Sequence, residues 1–227
     1  MTGALAGNSL LVPIKRGTGP LSVVLPPAGG GVGPCLGAAA HLARRGPVQG
    51  VRASGLMAGE EPDTAVAAMV ERCWAALEPL DAPSVLFGWS LGGSLAWELA
   101  LRYAELGRRP AVVMVDSPAV AEPVSEAQRD HLRDVIAAGT NDESVRATTD
   151  AHITAASEYQ ARQCYPGPAL LVACRRENPA HAAAWRDLAG HLRIAEVDCG
   201  HFEVLASPHL ATVLGHLDEF LNTLEEV

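Results

Sequence analysis

Phe87-Gly88-Trp89-Ser90-Leu91-Gly92-Gly93 follows a short apolar run, Ser84 to Phe87, and opens a helical pattern that begins Ser94-Leu95-Ala96-Trp97-Glu98-Leu99. Strand, then Gly-x-Ser-x-Gly, then helix is the context of a serine carried on a sharp elbow. The reason is steric. A turn that tight leaves no room two positions either side of the serine, and Gly88 and Gly92 stand there. The elbow pushes the Ser90 hydroxyl into the open and sets the Leu91 N–H beside it at a helix N-terminus, where negative charge is stabilised. The motif alone would also suit a glycine-rich turn with an ordinary capping serine. The flanking strand and helix decide for the elbow.

Outward from it, apolar runs and helical patterns alternate. Leu10 to Ile14 reads as an edge strand, because Pro13 removes a ladder donor. Leu21 to Leu25 is a buried strand, ending in the loop Pro26-Pro27-Ala28-Gly29-Gly30-Gly31, whose glycines let backbone approach a ligand. A helix over 34–45, a strand over 48–53 and a helix from Pro62-Asp63 precede the elbow strand. The elbow helix runs to Gly107, and Ala111 to Val115 is a fully apolar strand with Asp116 at its end. Beyond the next stretch come a strand at 169–173, a helix at 181–188, a strand at 192–197, and an amphipathic helix capped by Ser207-Pro208.

This alternation predicts an α/β fold: a mainly parallel sheet, helices on both faces, ligands at the carboxyl ends of the strands. It breaks once, over 117–163. That segment is polar, with helical patches at 126–138 and 144–159, and at roughly 45 residues it is too long for a plain loop. It reads as a helical lid poor in large apolar residues, hence easily opened. The domain is expected over 10–227, with residues 1–9 a linker or an expression scar.

With 48% hydrophobic residues, 227 residues suit one domain with a sizeable core. No run approaches the roughly 20 apolar residues of a membrane span, and Met1 to Ser9 lacks the charged and apolar regions of a signal peptide. Five cysteines lie scattered without a Cys-x-x-Cys pair, which points to reduced thiols, a cytoplasmic setting and no metal site. The net charge of −9 argues against nucleic acid as a partner.

A serine hydroxyl needs a base to take its proton, and a histidine base needs an orienting carboxylate. In the α/β-hydrolase order the serine comes first, then the acid, then the histidine. Asp116 ends the strand after the elbow helix and is the preferred acid; Glu177, Asp187 and Asp198 are the other candidates. His201, in the loop after the last strand, is the preferred base over His209. His131, His152, His181 and His191 fall in less favourable positions and read as solvated. The oxyanion hole is expected from the Leu91 N–H and that of Ala28 in the glycine-rich loop.

Four stretches carry a resemblance: Leu25-Pro26-Pro27-Ala28-Gly29-Gly30, Gly88-Trp89-Ser90-Leu91-Gly92-Gly93, Val115-Asp116-Ser117-Pro118 and Gly200-His201-Phe202. They resemble the type I thioesterase domain that ends nonribosomal peptide synthetases, over nearly the whole chain, with Trp89 typical of that branch. The resemblance implies the α/β-hydrolase fold, Ser90 as nucleophile, Asp116 as acid and His201 as base. It implies a peptidyl carrier protein that delivers a peptidyl or acyl chain on its phosphopantetheine arm, with no cofactor or metal of the domain's own. Release is by hydrolysis or macrocyclisation. Arg44-Arg45 or Arg108-Arg109 could meet an acidic carrier, although both pairs suit solvated helix ends. Related stand-alone editing thioesterases usually take the acid from the strand after the lid, where this chain has Cys174-Arg175-Arg176-Glu177 and no aspartate. An editing thioesterase, a general serine esterase and a non-catalytic binding relative are the alternatives.

Overall fold

A computed structural model of the chain describes residues 10–121, 124–138, 140, 142–176 and 181–225. The expected linker at 1–9 and the candidate acid Glu177 lie outside them. Seven strands form one sheet: β1 (Leu11–Lys15), β2 (Ser22–Leu25), β3 (Val48–Val51), β4 (Val85–Trp89), β5 (Ala111–Val115), β6 (Tyr165–Cys174) and β7 (Ala189–Val197), in the order β1-β3-β2-β4-β5-β6-β7. β1 pairs antiparallel at the edge, as Pro13 predicts, and every other pairing is parallel.

The central strands are apolar throughout because both faces are covered. On one face α2 (Val66–Leu77), α3 (Leu91–Glu105) and α6 (His181–Arg186) enclose a core around Leu95, Trp97 and Trp185. On the other, α1 (Leu36–Leu42) and α7 (His209–Glu225) bury Val24, Phe87, Val113, Leu217 and Phe220. β2 leads to α1 on the second face and β4 to α3 on the first. The loops after these neighbouring strands therefore diverge and leave a crevice at their carboxyl ends, the position where open α/β sheets bind ligands. No helix among the described residues is long and apolar enough to cross a membrane.

Several boundaries differ from the sequence expectation. β6 begins at Tyr165, four residues early, because a bulge between Tyr165 and Pro168 removes the need for the donors two prolines lack. α2 starts at Val66, with Asp63 turned inward onto Arg72 at 2.8 Å instead of capping the helix. Arg45 is engaged by α7, at 2.6 Å from Glu225 and 3.2 Å from Asp218, so it is not a free cation for a partner.

The insertion between β5 and β6 holds α4 (Glu126–Ile136) and α5 (Glu143–Glu158), and its two helices differ. α4 starts with a Ser125–Gln128 capping box and buries no residue. α5 buries Thr148, Thr149, Ala151, His152, Ile153 and Ala155. The segment expected as a lid over 117–163 therefore has an outer helix with no buried residue and an inner one whose mostly small and polar face is packed against the domain.

Candidate active site

Ser90 caps α3 with φ 56° and ψ −126°, a conformation that costs a non-glycine residue on the order of 1–3 kcal/mol. Its surroundings impose it. A Cβ on Gly88 would stand 2.0 Å from the Gly92 carbonyl carbon, and one on Gly92 would stand 2.8 Å from the Leu25 oxygen. Neither position admits a side chain without moving backbone, so the two glycines allow the crossing of β4, β2 and α3 that makes the elbow. The Ser90 N–H still donates to the Val115 carbonyl at 2.9 Å, which ties the turn to β5.

Asp116 continues β5 in a second left-handed conformation, φ 43°, with its N–H donating to Val172 at 2.7 Å. Aspartate tolerates that region better than most residues. Its carboxylate is 2% exposed and is held at both oxygens: Oδ1 accepts the Cys174 N–H at 2.9 Å, and Oδ2 lies 2.7 Å from His201 Nδ1. The Cys174 N–H is a contribution that side-chain reasoning misses, because it is a main-chain donor at the end of β6. Burial pushes the neighbouring Cys174 and Cys199 thiols up, which keeps them protonated and inert beside the carboxylate.

His201 reaches this carboxylate from the loop after β7, where the Glu203 carboxylate accepts the Gly200 N–H at 3.0 Å. The other candidates do not gather here. Asp187 is exposed near the start of β7, Asp198 pairs with Arg176 at 3.3 Å, and His131 and His191 are solvated. His152 is a correction: it is 1% exposed, buried under the glycine-rich loop instead of solvated. The spacing of Thr148, Thr149, His152, Ile153 and Ala156 on one helical face was the available signal.

Ala28, Ser90, Asp116 and His201 line one cavity of about 690 Å³, and Leu91, 2% exposed, is the first residue of α3 beside it. As the first residue of a helix, its N–H has no carbonyl within the helix to bond. The far wall comes from the insertion, through Val124, Leu132, Val135, Ile136, Val145 and Ile153. Phe202 closes one side. Away from the Ser90–His201–Asp116 end the cavity wall is mostly apolar, with Ser157 of α5 its polar side chain. Chemically, the arrangement offers a hydroxyl at a helix N-terminus, a carboxylate-bound imidazole, backbone donors and a greasy chamber.

The family model of the thioesterase domain matches residues 23–221. No curated protein matches the chain. Among solved structures, the chain is similar to the type II thioesterase BorB from the borrelidin biosynthetic cluster, at 22% identity and TM-score 0.78, over 96% of this chain and 98% of that one. It is also similar to the Vlm2 thioesterase domain bound with a dodecadepsipeptide, at 24% identity and TM-score 0.74, over 92% and 97%. A third similarity is to AB3403, a four-domain nonribosomal peptide synthetase, at 18% identity and TM-score 0.76, over 93% of this chain and 20% of that one. At these identities the likeness establishes a common fold.

Proposed function

The chain belongs to the thioesterase domain family, and from that premise we propose that it is a serine thioesterase releasing a peptidyl or acyl chain from a carrier protein. The observation that carries the reading is the Asp116–His201 pair, 2.7 Å apart, on the cavity into which the strained elbow presents Ser90. The carrier delivers its load as a phosphopantetheine thioester. His201 takes the Ser90 proton, the hydroxyl oxygen attacks the thioester carbonyl, and the Ala28 and Leu91 amides receive the oxyanion. The thiol leaves with the proton from His201, and the ester stays on Ser90. Water then yields an acid, or an amine or hydroxyl of the chain itself yields a macrocycle; His201 serves as base again. Asp116 keeps the imidazole in the tautomer with Nδ1–H and stabilises the imidazolium. On this reading the domain holds no cofactor of its own, because the arm belongs to the carrier.

The likeness to a synthetase and to a depsipeptide-bound domain supports nonribosomal peptide assembly as the setting. An acid at the end of β5, ahead of the insertion, favours the terminal role over the editing one. Intact-mass analysis tests both levels. A panel of peptidyl and acyl pantetheine thioesters should give an ester adduct on Ser90 and free acid or cyclic product. A protein that cleaves simple esters and leaves every carrier-like thioester intact would instead be a general esterase.

A further inference from the structure

The second helix of the insertion underlies the loop that the proposed mechanism uses for its oxyanion. A Cβ on Gly30 would come 3.2 Å from Thr148 Cγ2, and one on Gly29 would come 3.7 Å from Thr149 Oγ1. One turn further along that face, the buried His152 ring lies near the Pro27 carbonyl. It shares a small cavity with Pro26, Ser54 and Asp63. Neither ring nitrogen reaches a partner in full hydrogen-bond geometry among the described residues. A buried imidazole so placed needs an explanation, since leaving its donor unmade is costly.

Peptide planarity supplies one. Pro27 C=O and Ala28 N–H belong to a single trans unit and point in opposite directions. Whatever holds the carbonyl towards α5 therefore aims the Ala28 N–H away from α5, into the cavity. The Gly30 N–H occupies one lone pair of that carbonyl at 3.0 Å. A second remains, and it is the one available to the histidine. We propose that His152 is a positioning residue that donates to the Pro27 carbonyl and fixes the peptide plane presenting the Ala28 N–H to the reacting oxygen. The proposal rests on the thioesterase reading above. Burial holds the ring neutral, with its pKa lowered to about 4, so at neutral pH it carries one N–H to give.

A donor that helps only when the oxyanion forms changes rate and leaves ground-state binding alone. The test compares wild type with His152→Leu, an apolar filler, and His152→Gln, which keeps an N–H. Rapid-quench acylation and steady-state turnover of an acyl-pantetheine thioester are measured beside thermal unfolding. Expected for the leucine variant is acylation about 10–100-fold slower, part or all of the effect of losing an oxyanion donor, with KM nearly unchanged. Its Tm should be equal or higher, because the second ring nitrogen, which has no partner among the described residues, is gone while the Pro27 carbonyl keeps the Gly30 N–H. Glutamine should recover most of the rate. A leucine variant with wild-type rates overturns the proposal, as do two variants equally slow with equally lowered Tm. Wild-type protein that never forms an ester at Ser90 would overturn the thioesterase reading itself, and is recognised before any variant is compared.

Discussion

The indole of Trp89 lies against the imidazole of His201, ring centroids 5.1 Å apart and planes 33° from parallel, with Phe202 edge-on to both. The elbow residue before the proposed nucleophile thus also steadies the proposed base, from beneath. Ring packing of this kind contributes about 0.5–1.5 kcal/mol. Trp89→Phe should keep most activity. Trp89→Ala should lower kcat about ten-fold and destabilise by about 3 kcal/mol, read by turnover and urea unfolding. Wild-type kcat in the alanine variant would mean that Asp116 alone holds the ring.

Asp116→Asn separates chemistry from architecture. Asn accepts the Cys174 N–H as Asp116 does and tolerates the left-handed backbone, so circular dichroism and Tm should change little. Turnover should fall about 10⁴-fold, because the amide stabilises no imidazolium and favours the wrong tautomer. A variant within ten-fold of wild type would assign the acid elsewhere.

Ser90 carries strain that function alone justifies. Ser90→Ala should leave the fold intact and give no covalent mass adduct. Ser90→Gly relieves φ 56° and should be about 1 kcal/mol more stable, after the entropy glycine adds to the unfolded chain. That corresponds to a Tm about 2–4 °C higher. A glycine variant less stable than the alanine one would show the backbone is unstrained.

The insertion should not move as one piece. α4 has no fully buried residue: it lays half-buried Leu132, Val135 and Ile136 along the cavity, and Arg133 and Arg129 tie it to Asp150 and Thr154 of α5, the latter at 2.7 Å. Exposed pairs of this sort contribute little. Hydrogen exchange should find 126–136 exchanging far faster than 143–158, with α5 nearer to β5 in protection. Uniform exchange across both helices would refute the division. On the proposed mechanism, α4 admits the acyl chain while α5 keeps the oxyanion loop in place.

His152 also predicts an acid-sensitive fold. Unfolded, the ring titrates near 6.5; folded, burial lowers this to about 4 against the opposing pull of Asp63 and the Pro27 carbonyl. Between those values the unfolded chain binds the extra proton. Stability therefore falls as pH drops through 6.5 and levels off below about 4, by on the order of 3 kcal/mol in all. His152→Leu should lose that component, so its advantage over wild type should grow across this window in denaturant titrations. Arg52 and Arg72, which line the same small cavity, are unaltered in both proteins. Parallel pH profiles would contradict the burial account.

What could be read from the sequence follows from how local each signal is. Ser90 is legible because the glycines that permit its conformation stand two residues away. Asp116 and His201 are legible because each follows a strand, and strand ends are where an α/β sheet places its chemistry. The loop of Ala28, which follows β2, reaches the cavity by the same logic. The start of β6 was not, because two prolines in Tyr165 to Pro168 imitate a loop unless a bulge is known to excuse them. The burial of Thr148, Thr149 and His152 was not, because it comes from packing against a loop more than a hundred positions earlier in the chain. The Cys174 N–H left no trace in side-chain chemistry at all.

The sheet order carries a consequence in time. β4, β5, β6 and β7 lie side by side in the order they are synthesised, and each contributes one part: Ser90, Asp116, the Cys174 amide, then the loop of His201. A nascent chain that has completed the elbow carries an exposed hydroxyl with no proton acceptor, and stays so until the last strand docks. On the proposed mechanism, chemical competence therefore arrives in one step, at the end, and a chain cut short before β7 should be inert towards a thioester. Burst labelling of Ser90 during refolding would then report completion of the sheet itself.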